Sequence, residues 1–137
     1  MRIIAVYLAV AVPFVLIDLV WLKVMGERMY RPILGEILKP EPRLWPAMVF
    51  YLLYPLGLIG FAALPAFQDG SPIRALLLGC MFGCFTYGTY DLTNQATLRN
   101  WTTILTLTDV LWGSALAACC TYSGYLVASR LLETPLR

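Results

Sequence analysis

From Trp45 to Phe67 the chain carries no charged residue. A bilayer core about 30 Å thick needs roughly 20 helical residues to cross it, and a run of this kind is a spanning segment before it is anything else. Three further segments have the same character. They run from about Ile3 to Met25, from about Ile73 to Leu92 and from about Thr103 to Ala128. Asp18 interrupts the first, which is uncharged from Ile3 to Ile17. The third is uncharged from Ala75 to Tyr90, and only Asp109 breaks the fourth. Composition points the same way. Apolar types make up 60% of the 137 residues and charged types 13%, against about 45–50% and about 25% in an ordinary soluble domain. A disordered chain and a water-soluble globule are excluded. A net charge of +2 is too small to draw nucleic acid. There is no histidine, which removes the commonest general base and the commonest zinc ligand together.

Ala9-Val10-Ala11 resembles the small-residue site of a cleaved signal peptide. The apolar run continues straight past it, and one Arg is all the charge before it, so the segment is read as a span. The connections at Gln68 to Pro72 and at Thr93 to Thr102 are short, and short connections join antiparallel neighbours. The expected fold is all-α. It is an integral membrane four-helix bundle, up-down-up-down, forming one four-span domain over residues 1–137. The longer connection from Gly26 to Leu44 adds a short interfacial segment, Met25 to Leu38, before Pro40 and Pro42 break it.

An even number of crossings puts both termini and the 68–72 turn on one side, and the 26–44 and 93–102 loops on the other. Asp18 lies late in the first span, Asp91 ends the third and Asp109 begins the fourth, so all three approach the same membrane face. Four Lys/Arg on the terminus side against six on the other lean toward a cytoplasmic acidic side.

A carboxylate within a span costs an estimated 2.5–3.5 kcal/mol on insertion scales, so three at one level call for partners or a task. Trp21 follows Asp18 by three residues and Trp112 follows Asp109 by three, which places each indole on its own Asp's helix face. Tyr87 and Asn94 flank Asp91 at helical spacing. Tyr51 and Tyr54 enter from the same side on the second span, and Arg99 stands in the adjoining loop. One reading is a ligand cavity walled by Asp18, Trp21, Tyr54, Tyr87, Asp91, Asn94, Arg99, Asp109 and Trp112. Its acidic and aromatic groups would suit a small cation, a proton or an amphiphile. The other reading is structural: interfacial Trp and Tyr anchors, with Asp91 or Asp109 paired to Arg99 or Lys23.

Cys80, Cys84, Cys119 and Cys120 follow no metal-binding spacing and are expected to be buried packing residues. Gly79 and Gly83 form a small-xxx-small pair for close helix packing, within the bundle or at a homodimer face. No nucleophile with an adjacent base, phosphate loop or dinucleotide fingerprint is present, so neither a metal nor a cofactor is expected. Acid–base work by an Asp pair, as in a lipid-modifying enzyme, is the one catalytic option left.

The run Thr86-Tyr87-Gly88-Thr89-Tyr90-Asp91-Leu92-Thr93-Asn94-Gln95-Ala96-Thr97-Leu98, then Trp101 and Thr108-Asp109-Val110-Leu111-Trp112-Gly113, resembles a bacterial membrane-protein family catalogued as domain of unknown function 2177. Asp18 to Trp21 and Phe50 to Tyr54 resemble its first two spans. The resemblance implies a four-span protein of the bacterial inner membrane and supplies no activity. The functional expectation is therefore a binding or permeation module built on the acidic cavity. Its alternative is an assembly subunit of a larger membrane complex.

Overall fold

The computed structural model describes residues 1–132, apart from the side chain of Glu36. Among these residues all regular structure is helical. Helix α1 runs Arg2–Leu34, α2 Leu44–Gln68, α3 Pro72–Thr97 and α4 Thr103–Leu131. Start signals are local. Ser71 Oγ accepts the Arg74 amide of α3 at 3.3 Å, with Pro72 at the first helical position, and Thr102 Oγ1 accepts the Leu105 amide of α4 at 3.3 Å. Gly35, at φ +52°, ends α1 in a conformation that disfavours side chains.

Two helices are not regular throughout. α1 is α-helical through Met25, opens into a π-turn over Gly26–Tyr30 and closes with Arg31–Leu34. α2 opens likewise over Ile59–Ala63, beginning four residues after Pro55 has removed a backbone donor. Pro13 lies inside α1 without ending it.

The helices alternate in direction. A Cβ on Gly79 would meet Ala117 and Thr121, and one on Gly83 would meet the Gly113 backbone, so α3 and α4 are antiparallel and nearly touching. Val10 lies against Gly124 and Asp18 against Trp112, which sets α1 antiparallel to α4. α2 covers α1, with Tyr54 stacked on Phe14 at 4.7 Å. The small-residue face of α3 is thus closed by α4 and is not an outward face.

The interior is built from small and medium side chains: Val10, Phe14, Leu58, Ala62, Ala117 and Cys120 are buried. So are Asp18, Asp91, Thr106, Asp109 and Thr121. Large apolar residues such as Leu16, Val20, Leu53, Phe61, Phe85 and Leu111 point outward. An outer surface of this kind is stable in lipid and not in water. α1, α2 and α4 are long and apolar enough to cross a membrane.

The third segment is more polar than the other three, because its half from Thr86 to Asn94 carries hydroxyls and Asp91. Its outward threonines hide their donors. Thr89 Oγ1 donates to the Phe85 carbonyl (2.7 Å), Thr93 to Thr89 (2.6 Å) and Thr97 to Thr93 (2.8 Å). Each hydroxyl is satisfied by its own helix, which lowers its cost in hydrocarbon.

The segment after the first span is helical: α1 continues through it to Leu34, and Met29 and Leu34 bury against Trp101 and Leu105 as a cap over that end of the bundle. One expectation needs correction, for the cysteines are not collectively buried. Cys120 is, but Cys80, Cys84 and Cys119 face outward. Gly79 and Gly83 occupy the α3–α4 seam, and the next residue on a helix stands about 100° round from it.

Candidate ligand site

The two Asp-x-x-Trp stretches meet where α1 and α4 cross, and they exchange partners. Asp18 Oδ1 accepts from Trp112 Nε1 at 3.1 Å, and its Oδ2 accepts from the Tyr51 hydroxyl at 2.8 Å. Trp21 Nε1 donates to the Tyr30 hydroxyl at 2.9 Å, and Tyr30 in turn donates to Asp109 Oδ1 at 2.5 Å. The two indoles lie face to face, centroids 4.1 Å apart and 7° from parallel. Antiparallel helices bearing the same three-residue spacing set each Trp beside the other helix's level. Each indole therefore serves the opposite carboxylate, Trp21 through the bridging phenol.

Tyr30 reaches this network because of the π-turn. Nine residues of unbroken α-helix would leave it about half a turn round from Trp21. The wider turn over Gly26–Tyr30 absorbs one extra residue and swings the ring back toward Trp21.

The electrostatics are unusual. Both carboxylates are buried and all their protein donors are neutral. Among the described residues the ion pairs are Glu27 with Arg31 (3.2 Å) and Asp69 with Arg74 (2.6 Å), both at the surface. Neither Arg99 nor Lys23 is paired with Asp91 or Asp109. Asp91 is fully buried, and neither of its oxygens has a hydrogen-bond partner among the described residues.

A cavity of about 640 Å³ opens beside the network. Asp18, Asp109, the two stacked indoles, Tyr30 and Tyr87 are among the residues that line it. Arg31 of the capping segment lines it too, as do Leu38, Lys39, Pro40 and Pro42 of the loop that follows. Of the nine candidate residues, Asp18, Trp21, Tyr87, Asp109 and Trp112 line this space. Tyr54 does not. Its hydroxyl shares a 3.0 Å hydrogen bond with Thr86 Oγ1, and it lines a neighbouring groove of about 330 Å³. Asp91 and half-buried Asn94 lie outside the lining, and Arg99 is exposed on the α3–α4 loop.

Sequence reasoning did not include Tyr30, which it assigned to a loop-side segment, or the hydrogen bond from Tyr51. It also passed over a polar clasp at the α3–α4 loop. There Trp101 Nε1 donates to Thr106 Oγ1 (3.0 Å), Thr106 donates to Gln95 Oε1 (2.8 Å), and Gln95 Nε2 donates to Thr103 Oγ1 (2.9 Å). The available signal was density of polar and aromatic types in a short loop between two spans.

Apolar helix faces turned outward and carboxylates turned inward define a helical membrane protein with a polar site at one end of its bundle. The chain belongs to the family described as "Predicted membrane protein (DUF2177)", whose sequence profile matches residues 3–126. No curated protein and no solved structure matches it.

Proposed function

We propose that this protein is a four-span binding module of the bacterial inner membrane, and that its cavity holds a small organic cation. One observation carries the reading. Two buried carboxylates, served only by neutral donors, wall a cavity of about 640 Å³ together with indole and phenol rings. That volume falls in the range of about 300–1,000 Å³ typical of small-molecule pockets. An ammonium group set against aromatic faces gains about 0.5–2 kcal/mol beyond its charge pairing. A hard divalent ion fits the donor set less well. It asks for about six to eight oxygens, and both oxygens of Asp18 already hold protein donors.

Four crossings are part of this reading. α3 has 26 residues, or about 39 Å at 1.5 Å per residue, enough to cross. It runs antiparallel between α2 and α4, and its threonine hydroxyls are internally satisfied.

The test is tetramethylammonium binding to the protein in lipid nanodiscs, followed by quenching of the Trp21–Trp112 fluorescence. Asp109→Asn should weaken binding about tenfold or more, the loss of one charge-assisted contact. Equal affinity in folded wild type and Asp109→Asn would end the reading.

A further inference from the structure

Resting on the cavity reading, we infer that the physiological ligand is a cationic amphiphile whose chain leaves the site sideways, between α2 and α3. The acidic cavity and the neighbouring groove share two walls, Tyr87 and Tyr90. The rest of the groove is Phe50, Tyr54 and Thr86. The hydroxyls of Tyr54 and Thr86 are bonded to each other, and Thr86 also donates to the Phe82 carbonyl at 2.8 Å, so the groove presents rings and methyls. A polar chamber that shares two ring walls with an apolar slot suits a head with a tail.

The slot exists because α2 and α3 part company. From its π-turn onward α2 packs along α3, and Gly57 lies against the Phe82 ring. Above Tyr54 the two helices separate, and every residue from Leu44 to Phe50 is exposed. The Tyr54–Thr86 bond closes the inner end of the gap. The outer side is open: Tyr90 is 60% and Phe50 39% exposed. On the four-span reading those faces stand toward lipid, and the groove then opens to the membrane.

Charge selects the head. Asp18 and Asp109 line the chamber with Tyr87, a ring it shares with the groove, while Arg31 belongs to the capping segment and Lys39 to the loop after it. On this placement an amphiphile entering between α2 and α3 past Tyr87 meets carboxylates and indoles first. A simple ammonium head fits that order, and an anionic head does not. The chain gains little hydrophobic energy on leaving lipid for the groove, because the two surroundings are equally apolar. The groove's contribution is to let the head reach the carboxylates without dragging its chain out of the bilayer.

The experiment uses an alkyltrimethylammonium carrying a mid-chain diazirine, with the alkyl sulfate of the same chain as its counterpart, on the whole protein in nanodiscs. Photolabel should concentrate on residues 50–54 and 86–90, about tenfold above the outward face of α1 at Leu16 and Val20. Tetramethylammonium should displace it, and the sulfate should show no enrichment. Asp109→Asn should abolish the enrichment although the groove is untouched, and Thr86→Phe should abolish it by filling the slot. Thr86→Val, which keeps the shape, should retain it, and melting temperatures check that each variant is folded. Label spread evenly over lipid-facing positions, while tetramethylammonium still binds in an Asp109-dependent way, overturns the lateral chain and leaves the cavity reading standing. Label in the groove that neither tetramethylammonium nor Asp109→Asn removes overturns the link between head and tail. Absence of both label and tetramethylammonium binding sinks the two together.

Discussion

Tyr30 is the hinge of the carboxylate network, for it accepts a hydrogen bond from Trp21 and donates one to Asp109. Removing its hydroxyl leaves an indole N–H and a buried carboxylate oxygen without their partners. Tyr30→Phe should therefore cost about 1–3 kcal/mol, the penalty for stranding a buried polar group, read as a lowered melting temperature in detergent. Asp18 is tested differently. An amide offers one carbonyl where the carboxylate offers two oxygens, so Asp18→Asn can accept from Trp112 only if the Tyr51 bond turns round, the amide NH2 donating to the phenol. The expected outcome is a shift in tryptophan emission together with a modest loss of stability. The cost of a carboxylate within a span made Asp18 and Asp109 legible from the sequence. Which indole each would receive was not. The three-residue spacing describes one helix face, and the exchange depends on how two faces meet.

At the level of elements, the α3–α4 seam and the π-turn of α1 do most to position the site. The seam is made of missing side chains. A Cβ on Gly83 would collide with the Gly113 carbonyl, and one on Gly113 with the Tyr87 ring that walls the cavity. Gly83→Ala should destabilise the bundle by about 1–3 kcal/mol, as overpacking does, measured by thermal aggregation in detergent. Gly88 is the control. Nothing lies within 4 Å of a Cβ built there, so Gly88→Ala should stay within about 0.5 kcal/mol of wild type. The Gly79/Gly83 pattern was readable as a packing pair, and its partner helix was not. The π-turn left no mark in the residue pattern at all. Gly26 permits it, but the extra residue is held by contacts of Met29, Tyr30 and Leu34 with α4 and its preceding loop.

Across the whole molecule many large aliphatic side chains face outward, while Asp18, Asp91, Asp109, Thr106 and Thr121 are buried. Two labelling experiments follow. A lipid-soluble maleimide should modify outward-facing Cys80, Cys84 and Cys119 before buried Cys120, resolved by mass spectrometry. In a cysteine-free background, the four-span proposal expects single cysteines at Ser71 and Asn100 to react with an impermeant maleimide from opposite sides of the membrane, with α3 crossing between the turns that hold them. Labelling of both from one side would remove the third crossing.

Hydropathy is a sum over neighbouring residues, so the number and alternation of the helices, though not the continuation of α1 to Leu34, were legible in the sequence. So was the gathering of Asp18, Asp91 and Asp109 toward one end, because short connections force neighbouring helices to alternate. Only the tertiary structure decided that Asp18 and Asp109 share a network while Asp91 stays buried without a partner among the described residues, that Tyr30 joins them, and that Tyr54 faces a separate groove. Those outcomes depend on the rotation of each helix about its own axis and on where α2 leaves α3. Rotation is set by glycine seams, a π-turn and ring stacking between residues far apart in the chain, and no local pattern records which of them will touch.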